Sequence, residues 1–277
     1  MSLRRFLRTT ISFVPIPDES PDFSFTGCSL LVHSAHEVGF YDGSMSQPRS
    51  LPHSLPQSLI AEMLGTMFLV LAVVGSGIMA QLLTTDVALQ LLINAAATIA
   101  MLYLLINLLA PLSGAHFNPV VTMVQVMKKG ISVSLGIAYL ASQVSGAILG
   151  SLLAHLLFDR PIIALSTFDR SGSHLLIAEV VATFGLVVIV FADWKSFKVR
   201  QRASLISLWI GSAYFFTSST SFANPAVTIG RLFTDSFAGI SPESVPAFVA
   251  AQVVGALIAW GVLARVQIAS IKARDSR

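Results

Sequence analysis

Apolar residues run along this chain in long unbroken blocks, without the three-four or alternate spacing of an amphipathic helix or strand. Blocks at 59–80, 88–110, 134–157, 175–193, 203–221 and 246–266 each approach or exceed the roughly 20 residues that cross a bilayer as a helix, which predicts six spans. Between the second and third, and again between the fifth and sixth, a shorter apolar piece opens at Asn-Pro, over 118–127 and 224–233. Neither is long enough to cross. Asn caps free backbone N–H groups, and Pro at the first helical position gives up only a donor that had no partner, so each piece is predicted to be a half-helix starting inside the membrane. Backbone broken at that depth is tolerated only where it is buried in protein or lines a water-filled cavity. Two such starts therefore predict a shared cavity.

The pattern also repeats. "AEMLGTMFLVL" from Ala61 is echoed by "AEVVATFGLVV" from Ala178, and "SQVSGAILG" from Ser142 by "AQVVGALIA" from Ala251. "HFNPVVT" at His116 to Thr122 returns as "FANPAVT" at Phe222 to Thr228. The chain reads as two copies of three spans plus one half-helix. An odd number of crossings forces the second copy to insert upside down, with the halves related by a pseudo-two-fold axis in the membrane plane. The expected fold is an all-α membrane protein: six transmembrane helices and two re-entrant half-helices in an inverted repeat.

Composition agrees with this reading: 54% of the 277 residues are hydrophobic and 11% charged, against roughly a quarter charged in soluble domains. The net charge of +3 and the scattered basic residues give no basic stripe for nucleic acid. One cysteine, Cys28, makes no intramolecular disulfide and no thiolate metal site. No Gly-x-x-x-x-Gly-Lys run or nucleophile motif is present, so neither nucleotide-driven transport nor catalysis is expected, and no cofactor or metal is called for. Lys128, Lys129, the basic loop "KSFKVRQR" and Arg265 to Arg277 fall on the side shared by both ends of the helical region, against Arg160, Arg170 and Arg231 on the other. The positive-inside rule then predicts both termini in the cytoplasm, in the cell membrane, with some attraction to membrane lipid.

Residues 1–57, rich in Pro, Ser and scattered charge, are expected to be a disordered extension, with Met45 as an alternative start. The channel-like region is expected over 58–267, its halves at 58–158 and 174–267, followed by a tail at 268–277.

The paired Asn-Pro half-helices, the "SGAH" at Ser113 to His116, the Glu in each half's first span and the Gln-x-x-Gly-Ala in each last span resemble the aquaporin and aquaglyceroporin channels. The resemblance covers about residues 59–266. It implies a passive pore whose central motifs are Asn118, Pro119 and Val120, and Asn224, Pro225 and Ala226, with the two Asn amides donating to passing solute. It implies that His116 lines the pore and that Glu62 and Glu179 brace the pore loops through backbone N–H groups, although an intramembrane carboxylate is by default an ion-relay candidate. His116 either satisfies a backbone group or titrates as an acid gate. The family habit implies a homotetramer.

In that family four positions form the narrowest point. Counted without gaps from the two Asn-Pro anchors they fall on Thr98, Ser212, Ser221 and Val227. The usual Arg at the last and aromatic at the first are absent, so the expected filter is wide, uncharged and mildly polar, with little strict water selectivity. Arg231, one helical turn beyond Val227, has two readings: a structural role outside the pore, favoured because an unpaired intramembrane charge is expensive, or a substitute filter charge.

The wording "SGAHFNP" and "TSSTSFANPAVT" resembles the bacterial branch associated with arsenic resistance. That implies small neutral solutes such as arsenous acid, with glycerol-like polyols and water as competitors. The alternatives from other classes are an ion-coupled secondary transporter, since inverted repeats with broken helices also build those, and a closed structural membrane protein. Among carboxylates within spans only Asp193, at a span end, accompanies Glu62 and Glu179. His155 and His174 are expected at the membrane interface, and Gly65, Gly75, Gly77, Gly146, Gly150 and Gly255 are expected to let spans of one subunit pack closely.

Overall fold

A computed structural model describes residues 54–192 and 197–275, with side chains to 266. The expected extension (apart from its last residues), Asp193 and the last two residues lie outside the described residues. Eight helices follow in chain order: α1 Leu55–Leu83, α2 Val87–Ser113, α3 Pro119–Met127, α4 Val133–Leu157, α5 Ser173–Phe191, α6 Val199–Phe216, α7 Pro225–Arg231 and α8 Val245–Asp275. Six are long and two are short, in the predicted order. Among the described residues five are long and apolar enough to cross a membrane; α6, which opens on Val-Arg-Gln-Arg, is the long helix outside that set. Helix α8 continues to Asp275, beyond the end expected at 267.

The helix ends follow their capping residues. Asp86 accepts from the Ala88 and Leu89 backbone N–H groups at 2.8 and 3.2 Å and starts α2. Gly114, with φ of 88°, ends it in the left-handed conformation that glycine adopts without a Cβ clash.

Packing obeys the repeat. α1 lies against α4, and α5 lies correspondingly against α8. A Cβ at Gly146 or Gly150 would collide with the Met63 or Met67 carbonyl of α1, and one at Gly255 with the Val180 carbonyl of α5. Backbone approaches backbone at these crossings, the arrangement small residues permit where no water drives helices together. The three glycines thus pack within one subunit, as expected from sequence.

The inward face of α6 is Ala203, Ser207, Ile210, Gly211 and Tyr214. Leu208, Phe215 and Phe216 are more than half exposed on the opposite side, and Ser212 is exposed with them. His155, near the end of α4, is buried, its ring nitrogens 2.6 Å from the Pro161 carbonyl and 2.9 Å from the Thr234 hydroxyl. It ties the α4–α5 loop to the segment after α7. His174 is exposed at the start of α5.

Candidate functional site

The two half-helices meet tip to tip. Asn118 caps α3, its side-chain oxygen accepting from Val120 N–H at 3.0 Å, and Asn224 caps α7, accepting from Ala226 and Val227 N–H at 3.0 and 3.3 Å. Each amide nitrogen crosses to the other half: Asn118 donates to the Ala223 carbonyl at 2.8 Å and Asn224 to the Phe117 carbonyl at 2.7 Å. A carboxamide has two N–H donors, so one on each Asn stays free of this cross-tie. Pro119 and Pro225 each occupy the first helical position, where their missing N–H loses nothing, and Val120 and Ala226 supply the capped N–H groups.

The loops that lead into these tips are held open in an unusual backbone conformation. Ala115 and Phe117 in the first, and Thr220, Ser221 and Ala223 in the second, all have φ between 47° and 62°. Non-glycine residues pay for this conformation, and the compensation is visible. Glu62 accepts from Ser113 Oγ at 2.6 Å, His116 N–H at 2.9 Å, Phe117 N–H at 2.7 Å and Gln143 Nε2 at 2.7 Å. Glu179 repeats the set from Ser219 Oγ, Phe222 N–H, Ala223 N–H and Gln252 Nε2, at 2.7 to 2.9 Å. Both carboxylates are fully buried. With their N–H groups engaged by the carboxylates behind them, the loops leave backbone carbonyls for the other side.

His116 lies beside this frame. Its Nδ1 is 3.0 Å from the Thr122 hydroxyl, which also receives Gln143 Nε2 at 2.9 Å, and its ring meets Tyr139 edge-on. Its ring partner is thus a hydroxyl, not a backbone carbonyl.

Of the four expected filter positions the structure brings three inward. Thr98, Ser221 and Val227 are 4%, 3% and 5% exposed, whereas Ser212 lies on the outer face of α6. A helix turns about 100° per residue, so a count that is off by one or two positions changes the face. The α6 residue that reaches the site is Tyr214, which sequence reasoning missed: its hydroxyl is 3.1 Å from Thr98 Oγ1. Thr98 also donates to the Asn94 carbonyl at 2.8 Å. The Ser221 hydroxyl is buried without a hydrogen-bond partner among the described residues. An aromatic side chain of α6 thus contacts Thr98 of α2. The available signal was the only Tyr in α6, set within an otherwise apolar stretch.

Two basic side chains lie nearby. Arg231, 2% exposed, donates through Nε to the Ala238 carbonyl and stacks on Phe222 with Cζ 3.4 Å from the ring centroid. Arg170, from the α4–α5 loop, donates through Nε to Gly239 at 2.9 Å and reaches the Ser219 carbonyl at 3.4 Å. Burial pushes the Arg170 guanidinium down to about 10, which leaves it charged at neutral pH.

Two capped half-helices held tip to tip inside a bundle of long apolar helices, with carbonyl-bearing loops leading to them, define a membrane channel built from an inverted repeat. The major intrinsic protein family matches residues 50–220. The chain is 48% identical over 202 residues to the aquaglyceroporin AqpS of Rhizobium meliloti (strain 1021), covering 73% of this chain and 86% of that protein. It is 30% identical over 149 residues to aquaporin-4 of Bos taurus, covering 52% of this chain and 42% of that protein. The X-ray structure of the aquaglyceroporin from Plasmodium falciparum shares the fold, with a TM-score of 0.59 over 75% of this chain and 95% of that one at 21% identity. The chain belongs to the major intrinsic protein family. It is a multi-pass membrane channel that passes small neutral solutes without energy input, and it is not an enzyme.

Proposed function

We propose that this channel carries neutral polyhydroxylated solutes, glycerol-like polyols and arsenous acid among them, with water as an accompanying permeant. The observation that carries the reading is the buried Val227 at the α7 position where the resemblance implies Arg, together with the buried hydroxyls of Thr98, Tyr214 and Ser221, the first two in contact with each other. Short hydroxyls donate and accept, and Val227 adds an apolar wall, so a molecule with several OH groups meets both kinds of surface. The Ser221 hydroxyl is buried without a protein hydrogen-bond partner. Further in, the second N–H of Asn118 and of Asn224 donates to a solute oxygen while loop carbonyls accept from its hydroxyls. The half-helix N-termini aim partial positive charge at this point, which disfavours cations.

The protein sits in the cell membrane with both termini in the cytoplasm, as its basic loops favour, and assembles as a homotetramer. Ion coupling is disfavoured because Glu62 and Glu179 each hold four donors already. The test is flux of water, glycerol and arsenous acid into proteoliposomes. Glycerol and arsenous acid entering without an ion gradient supports the reading; water alone removes the polyol and metalloid assignment.

A further inference from the structure

Val227 leaves the usual filter position without charge, yet two guanidiniums gather around the same ring of residues from elsewhere in the chain. Arg231 arrives from one helical turn further along α7, and Arg170 from the loop between α4 and α5. Both lie against one aromatic ring: Cζ of Arg231 is 3.4 Å and Cζ of Arg170 4.9 Å from the centroid of Phe222. Phe222 follows Ser221, and the Ser219 carbonyl that receives Arg170 Nη1 lies two residues before it. The two cations thus flank Phe222 and the loop segment 219–222 that leads into the second half-helix.

Neither guanidinium makes a salt bridge among the described residues; their hydrogen bonds go to carbonyls. Glu179 attracts both at longer range, but its oxygens already accept four hydrogen bonds. Arg231 uses Nε on Ala238, and its terminal nitrogens have no acceptor among the described residues. The two positive charges repel each other, and a charge held in low dielectric is costly unless paired. Stacking on Phe222 offsets part of that. Scaffolding alone would be served as well by a neutral donor. What a neutral donor cannot supply is a field.

We propose that Arg170 and Arg231 together form the cation barrier of the outer constriction, restoring from an extracellular loop and from the end of α7 the charge that position 227 lacks. Cations are repelled at this level, while a neutral solute passes beside the free N–H groups of Arg231. The inference rests on the channel reading above and goes beyond it by assigning charge selectivity to these two residues.

The test uses the full chain in proteoliposomes, comparing wild type with the Arg170→Met/Arg231→Met double variant and the Arg170→Lys/Arg231→Lys double variant. Glycerol entry is followed by light scattering, and leakage of protons and methylammonium by an internal pH dye. The Met pair is expected to leak cations about tenfold faster than wild type, ~1.4 kcal/mol of lost barrier, while still conducting glycerol. The Lys pair is expected to restore cation tightness, because it keeps the charge but not the fork of hydrogen bonds that a purely structural role would need. A Met pair that conducts glycerol and stays as cation-tight as wild type overturns the proposal. If the Met pair does not fold, the single Arg170→Met variant decides: faster cation leak supports the proposal and an unchanged leak overturns it. A wild type that passes no neutral solute fails the channel reading first, which glycerol entry alone reveals, and this inference falls with it.

Discussion

Asn118 and Asn224 each hold the other's loop, the first donating to the Ala223 carbonyl at 2.8 Å and the second to the Phe117 carbonyl at 2.7 Å. One side chain therefore does two things, its oxygen capping its own half-helix and one N–H locking the opposite half, and a second N–H is left outside this exchange. The inverted repeat is closed at its centre by this exchange.

Replacing either Asn by Asp separates those roles. Asp caps as well as Asn but has no N–H to donate, so Asn118→Asp and Asn224→Asp are expected to keep the half-helix and lose the cross-tie and solute donor. Glycerol flux in proteoliposomes should fall at least about tenfold. Asn118→Ala and Asn224→Ala lose the cap as well and should melt lower by a further ~1 kcal/mol. Equal melting of the Asp and Ala variants would contradict the division of roles.

Glu62 and Glu179 each collect four donors, two of them backbone N–H groups of a loop held at positive φ. Gln substitutes an NH2 for one acceptor oxygen and turns it toward groups that also donate. Each Glu→Gln change is expected to cost about 3 kcal/mol, on the scale of breaking buried charge-assisted hydrogen bonds, read as thermal unfolding in detergent. Because the bracing is symmetric, the two variants should lose similar amounts. A silent Glu62→Gln would show that the bracing is not needed.

Val227→Arg adds a guanidinium one helical turn before Arg231 on α7, at a buried position. Glycerol and arsenous acid flux is expected to drop about tenfold or more, with water flux less affected because water is smaller. Unchanged polyol flux in a folded variant would move the constriction away from Val227.

Ser212 and Tyr214 are two residues apart on α6 and face opposite ways. Ser212→Leu, on the exposed face, should leave flux within about twofold and stability within ~0.5 kcal/mol. Tyr214→Phe removes the hydroxyl 3.1 Å from Thr98 and should cost about 1 kcal/mol while shifting the ratio of glycerol to water flux. The reverse pattern, measured by paired light-scattering assays, would restore Ser212 to the filter.

Much of this molecule was legible in the chain itself. The long apolar blocks marked the spans, Asn-Pro marked both half-helix starts, and the echo of Ala61 to Leu71 in Ala178 to Val188 revealed the repeat. Those signals are local: block length against bilayer thickness, cap chemistry, and a Glu placed where only a buried duty makes it tolerable. The bracing role of Glu62 and Glu179 was expected from the resemblance; in the structure each carboxylate accepts from four donors.

Rotation about each helix axis was not legible. A span that faces protein on one side and lipid on the other is apolar all round, so hydrophobic period carries little information about its inward face. Two residues along α6 separate the exposed Ser212 from the buried Tyr214, because each residue turns the helix by about 100°. Arg170 was beyond reach for a different reason. It lies far along the chain from Phe222 and Gly239, and only the folding of the α4–α5 loop onto the segments flanking α7 brings its guanidinium to them. Sequence determined that there are two half-helices and what caps them; tertiary structure alone decided which side chains and which charges surround the path between them.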